Sequence, residues 1–224
     1  MFVGHYSAAF IGKAVEPRVP FCVLFLAAQF VDVFWAIFII LGIEKASLDP
    51  GLSSNPLVLD YMPYTHSLAG TFVWAAVAFV LAHRIPVLGG AGRTAVVVAA
   101  VVASHWFLDL IVHRPDLPLD GDQTVKLGLA LWNYPVPAFV AEMALLFASI
   151  IFWFRRSGAG MPARRAGRWF IVGFLILQLG FWLGPVPPVI QAVAASALFT
   201  FLLIAWAGVR IERRIIETGA APAN

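Results

Sequence analysis

The chain has 224 residues, 61% of them apolar and 12% charged, with a mean hydropathy of +0.88. A water-soluble domain carries about a quarter charged residues, so the composition excludes an ordinary globular protein, and its apolar content excludes a disordered one. The single Cys22 excludes a disulfide scaffold, Cys-rich zinc modules, CxxC redox pairs and CxxCH haem attachment, while the pI of 9.4 implies no nucleic-acid partner, because the basic residues form no recognition motif and find a place in membrane topology.

The apolar residues gather into runs of about twenty, the length that crosses a hydrocarbon layer about 30 Å thick. The chain opens on a small-residue apolar stretch, residues 2–15, that carries Lys13 near its end and turns back through Glu16-Pro17-Arg18-Val19-Pro20; it is expected to be a re-entrant or amphipathic half-helix. Six spans follow, at about residues 21–43, 64–82, 94–112, 136–154, 169–184 and 189–209. The first run is too long for a signal-peptide core and lacks a small-residue cleavage site, so it is expected to be retained. Pro185-Val186-Pro187-Pro188 sets a tight turn between the fifth and sixth spans. The expected fold is therefore an all-α integral membrane protein, a six-span helical bundle in one domain over residues 1–210, with a cytoplasmic tail at 211–224.

Orientation follows from charge. With the N-terminus inside, all the basic residues except Lys45, Arg114 and Lys126 fall in the cytoplasm, twelve of fifteen; the positive-inside rule then favours both termini in the cytoplasm. Two long segments, residues 44–63 and 113–135, lie outside, and loops of that length tend to be functional. Spans five and six hold only Gln178 and Gln191 among larger polar groups and are expected to support the bundle or an oligomer interface.

Ionisable groups within a membrane are costly and functional by default. This chain has Asp32 in span one, His66 opening span two, His105 and Asp109 in span three, and Glu142 in span four. At a rise of about 1.5 Å per residue all of them fall in the middle-to-outer part of the membrane, and the half-helix brings His5 to a similar depth. His105, Asp109 and His113 are spaced by four and share a helix face. Imidazole and carboxylate at that spacing suit a divalent cation, zinc above all, with manganese or iron as alternatives.

The order His5, Asp32, His66, His105-x-x-x-Asp109, then Glu142 resembles the membrane-bound metal-dependent hydrolases of the LexA-regulated inner-membrane type, through Gly4-His5, Tyr64-Thr65-His66-Ser67 and Ser104-His105-Trp106-Phe107-Leu108-Asp109. That family is similar to secreted zinc-dependent phospholipases C and single-strand nucleases, whose ligands follow the order His, Asp, His, HxxxD, HxxxE. The resemblance covers roughly residues 4–116, about half of the chain. It implies that Asp32, His66, His105 and Asp109 hold a first metal, with His5 and a bridging Asp109 part of a second. Ala138 stands where the last motif has its histidine, and none follows His113, so the resemblance implies one or two ions rather than three.

The resemblance implies a bacterial inner-membrane hydrolase of a phosphoester, and the depth of the cluster leads to a lipid or lipid-linked small molecule as the expected substrate, with Glu142 or a free oxygen of Asp109 as general base and His113 and Arg114 facing the substrate. A transporter of divalent cations or protons would use the same cluster, and bis-histidine haem ligation by His66 and His105 is a third possibility. For each residue there is also a plain structural role, as helix glue, cap or interfacial side chain.

Overall fold

The computed structural model describes residues 1–85, 92–157 and 160–217. A 3-10 turn, Val3–His5, leads into α1 (Tyr6–Val15), followed by α2 (Phe21–Ala28), α3 (Phe30–Ile40), α4 (Leu68–Arg84), α5 (Gly92–Val112), α6 (Pro135–Arg156), α7 (Met161–Leu183) and α8 (Ile190–Glu217). The loops at one end carry two small antiparallel hairpins, β1 (Lys45–Leu48) with β2 (Leu57–Tyr61), and β3 (Leu117–Pro118) with β4 (Lys126–Leu127).

The short α1 lies inside the bundle, against α2, α5 and α6. Tyr6, Ala9 and Phe10 are fully buried, and the Phe10 ring meets those of Phe21, Phe25 and Phe170 edge-on at 5.4–5.7 Å. Close approach depends on small residues: a Cβ at Gly12 would stand 3.0 Å from both Leu24 and Val101, and one at Gly208 would stand 3.0 Å from the Phe25 ring. A helix ending within an apolar bundle must satisfy its last carbonyls. Here Glu16 donates its N–H to the Gly12 carbonyl and Arg93 donates to the Val15 carbonyl at 2.8 Å, while Lys13 Nζ donates to the carbonyls of Pro17 and Val19 in the turn that follows, both at 2.8 Å, and pairs with Glu212 of α8. Arg93 at the start of α5 pairs with Glu16 at 3.3 Å. The C-terminal end of α1, the start of α5 and the end of α8 thus form a basic, internally paired end of the molecule. The α-amino group of Met1 sits at the opposite end of α1, buried within the bundle.

The expected first span is a broken one. α2 and α3 meet at a 54° bend about Gln29, whose φ and ψ of −106° and 12° interrupt the helical ladder. Gln29 is fully buried and donates its side-chain amide to the Phe2 carbonyl. α4 starts at a serine cap, with Ser67 Oγ accepting from the Gly70 N–H at 2.9 Å, and α6 starts with Pro135, whose fixed φ suits the first helical position.

Among the described residues four helices are long and apolar enough to cross a membrane, and a fifth crossing results if the bent pair α2–α3 counts as one. This fits an all-α, multi-pass membrane protein and corrects the expected count of six. The difference lies in α4, where the polar loop holds residues 64–67 out of the helix and leaves 17 residues, short of a full span. α7 is longer than expected because the basic stretch around Arg164, Arg165 and Arg168 is helical. α8 likewise continues through Arg210, Arg213 and Arg214 to Glu217, so the first part of the expected tail is helix, and 218–224 lie outside the described residues.

Candidate metal centre

α5 supplies one face of the centre. His105 and Asp109 are one helical turn apart, and His113, just past the end of α5, continues the same bonding through its N–H to the Asp109 carbonyl at 2.8 Å. Asp32 enters from the first turn of α3, where the helix N-terminus favours a carboxylate. His66 comes from the loop before α4, and His5 from the turn before α1.

These side chains converge on Asp109. Its Oδ1 is 3.1 Å from His5 Nε2 and 3.5 Å from His113 Nε2, and its Oδ2 is 3.1 Å from His105 Nε2 and 3.8 Å from His66 Nε2. Asp32 Oδ1 is 3.4 Å from both His66 Nε2 and His105 Nε2. The His5 and His105 rings stack with centroids 3.8 Å apart. Two overlapping triads, His5–His105–Asp109 and Asp32–His66–His105, have ligand atoms within 4.8 Å of one another and could hold a metal ion. The Met1 amino group also donates to Asp109 Oδ1.

The outer nitrogens of the rings decide what the inner ones can do. A carbonyl oxygen only accepts, so His105 must donate Nδ1–H to the Ala28 carbonyl, 3.0 Å away; the end of α2 supplies that acceptor at the bend. Thr65 Oγ1 donates to Glu44 Oε2 at 2.5 Å, leaving the hydroxyl oxygen to accept Nδ1–H of His66 at 2.9 Å. Glu44 also accepts the N–H groups of Tyr64 and Thr65, each at 2.9 Å, and so anchors the segment that presents His66. His113 directs Nδ1 to Asp116 Oδ1 at 3.0 Å. Burial opposes a charge on His113, but Asp109 and Asp116 outweigh it and raise its pKa above that of ordinary histidine.

With Nδ1 engaged in this way, three histidines turn Nε2 toward two carboxylates. Where the rings are neutral they present lone pairs there, beside carboxylate oxygens of which one also meets the Met1 ammonium group, and such a set of donor atoms could hold a metal ion. Neither ring nitrogen of His5 makes a hydrogen bond, nor does His105 Nε2, although Asp109 oxygens lie 3.1 Å from both rings. Histidines whose second nitrogen is held by a carbonyl or carboxylate are the usual ligands of protein-bound metals, and these residues could hold a metal ion.

Each residue expected to bind metal (His5, Asp32, His66, His105 and Asp109) belongs to this cluster. His113, expected to face substrate, stands against Asp109. Glu142 lines the adjoining cavity, and its Oε2 accepts the N–H groups of Phe2 and Gly4 at 2.8 and 3.2 Å. Arg114 is not among the residues lining the cavity; it joins the two outer loops by donating to Asn133 Oδ1 at 2.9 Å and to the Asn55 carbonyl at 3.2 Å. Sequence reasoning missed the supporting groups Glu44, Thr65 and the Ala28 carbonyl. Only the adjacency of Thr65 to His66 hinted at one of them.

Above the cluster lies a cavity of about 560 Å³. Its floor is Asp32, His66, Asp109, His113 and Glu142; its walls are apolar and come largely from α7 and α8. On the side of the basic end, the cluster rests on the aromatic core around Phe10, Phe21 and Phe25.

The Thr65→Val variant tests the support. It keeps the shape of the side chain but removes the acceptor for His66 Nδ1–H. Competition with a chromophoric chelator should show metal affinity about 10–100-fold weaker; unchanged affinity would show that Thr65 does not orient a ligand.

No family model, curated protein or solved structure matches the chain. The fold and the site define it as an all-α, multi-pass membrane protein with a buried His/Asp cluster that could hold a metal ion.

Proposed function

We propose that the protein is a membrane-embedded, metal-dependent hydrolase that cleaves a phosphoester of a lipid or lipid-linked substrate in the outer half of a bacterial inner membrane. The observation that carries this reading is the facing of histidine Nε2 atoms and carboxylates, with the Nδ1 atoms tied back, at the floor of a cavity large enough for a small-molecule ligand. His105, Asp109, Asp32 and His66 would hold one divalent ion, with zinc favoured, and His5, His113 and Asp109 would contribute to a second. When bound, such ions supply Lewis-acid activation of a phosphoester and of the water that attacks it.

The protein's own groups have distinct parts. Glu142 uses Oε2 for the Phe2 and Gly4 amides, leaving Oε1 out of both bonds and able to take a proton from water at the cavity floor. The Glu44–Thr65 pair keeps His66 oriented, and Asp116 does the same for His113. The basic end faces the cytoplasm by the positive-inside rule, which puts the cluster, at the far end of α1, toward the outer leaflet. The resemblance to metal-dependent phosphoesterases in the order of these residues supports the same chemistry.

Transport would need polar groups continuing from the cluster to the basic end, where the structure instead packs Phe10, Phe21, Phe25 and Phe170 against one another. A porphyrin between His66 and His105 would have to occupy the space where both Nε2 atoms approach Asp32.

The purified protein in detergent, with no gradient to dissipate, should cleave a lipid phosphoester such as phosphatidic acid or phosphatidylglycerol. A chelator should silence it, and Zn²⁺ or Mn²⁺ should restore it. Metal uptake into vesicles without turnover of any phosphoester would overturn the reading.

A further inference from the structure

The far wall of the cavity is parted. α8 packs closely on α2 and α3, whereas α7 touches both α6 and α8 only lightly and is held through Phe170 and Phe174 against the aromatic rings of α1 and α2. Gly180 of α7 and Ser196 of α8 line the cavity and are both exposed, and a Cβ built at Gly180 meets nothing within 4 Å. At the loop end, by contrast, Pro56, Leu57 and Trp132 bound the cavity. The outer faces of α7 and α8 carry exposed large apolar side chains, among them Leu183 and Phe199, which suit a hydrocarbon surrounding.

We infer that the space between α7 and α8 is the acyl-chain site of a lipid phosphoester, entered laterally from the membrane. This rests on the hydrolase reading and names the substrate's other half. The walls offer Leu177, Phe181, Val193 and Phe201 to a tail, and the floor offers cation-binding side chains to a phosphate. A water-soluble phosphoester would gain nothing from these walls, whereas a lipid already oriented in the outer leaflet brings tail and headgroup to the two surfaces at once. Gly180 is the position to test, because it faces open space that a large side chain would fill.

The test uses the full chain in phosphatidylcholine vesicles with a phosphatidic acid carrying a photoreactive diazirine in its acyl chain. Adducts should map to the cavity-lining residues of α7 and α8. Gly180→Trp should lower their yield by about tenfold, and Ser196→Leu, entering the gap from the other helix, should lower it as well. Gly173→Trp is the control, because a Cβ at Gly173 also meets nothing within 4 Å and Gly173 does not line the cavity; it should label as the wild type does. Equal labelling in wild type and both gap variants, or adducts confined to other helices, would overturn the proposal. Turnover separates the two readings. Labelling that obeys Gly180 in a protein that cleaves nothing would retain the acyl site and sink the hydrolase; cleavage of lipid with labelling indifferent to Gly180→Trp would do the reverse.

Discussion

Asp109→Asn should strip the protein of its metal. The four Nε2 atoms of His5, His66, His105 and His113 are divided between the two oxygens of this carboxylate at 3.1–3.8 Å, so Asp109 is the group that any cation in the cluster must share. Asparagine keeps the size but replaces one oxygen by an NH₂ whose hydrogens can satisfy imidazole lone pairs. It would therefore serve well as helix glue and badly as a bridging ligand. Elemental analysis should find metal in the wild type and none in the variant. Binding to the folded form alone stabilises by about 2.7 kcal/mol when the free ligand is at 100 times its dissociation constant. A chelator should thus lower the thermal midpoint of the wild type and leave that of Asp109→Asn unmoved. A variant with full metal content would reduce the cluster to a network of ion pairs.

Much of this centre was legible in the sequence because helical periodicity translates spacing into direction. His105, Asp109 and His113 had to share a face, and rise per residue put Asp32, His66 and His5 at comparable depth. The half-helix was legible as well: residues 2–15 are apolar but too short to cross a membrane, and Lys13 marks the end from which the chain turns back, donating to the carbonyls of Pro17 and Val19 in that turn. The bend at Gln29 was not legible, because an uninterrupted apolar run gives no sign of a break that tertiary contacts impose through the Phe2 carbonyl and His105. Neither was the part played by Glu44, which reaches Thr65 across 21 residues by way of a loop with no periodic pattern. Spans five and six, now α7 and α8, were expected to support the bundle or an oligomer interface for want of ionisable residues. Both also line the cavity, a feature of packing that composition does not reveal.

Glu142→Gln should retain metal and lose turnover. The carboxylate stands at the cavity floor, and its Oε2 holds the amides of Phe2 and Gly4, the two residues that flank Val3 and lead into His5. A glutamine oxygen can accept both N–H groups, so the N-terminal turn and His5 should stay in place, but the amide cannot take a proton from water. General-base catalysis contributes about 10²–10⁴-fold, and the loss in kcat should fall in that range with metal content unchanged. Glu142→Ala separates anchoring from proton transfer, because it removes the acceptor as well and frees the turn that carries His5. It should lose turnover together with part of the metal. Full activity in Glu142→Gln with loss only in Glu142→Ala would assign Glu142 to anchoring alone and move the search for a base to the free carboxylate oxygens of Asp32 and Asp109. Loss of metal in Glu142→Gln itself would make Glu142 a ligand of the second ion.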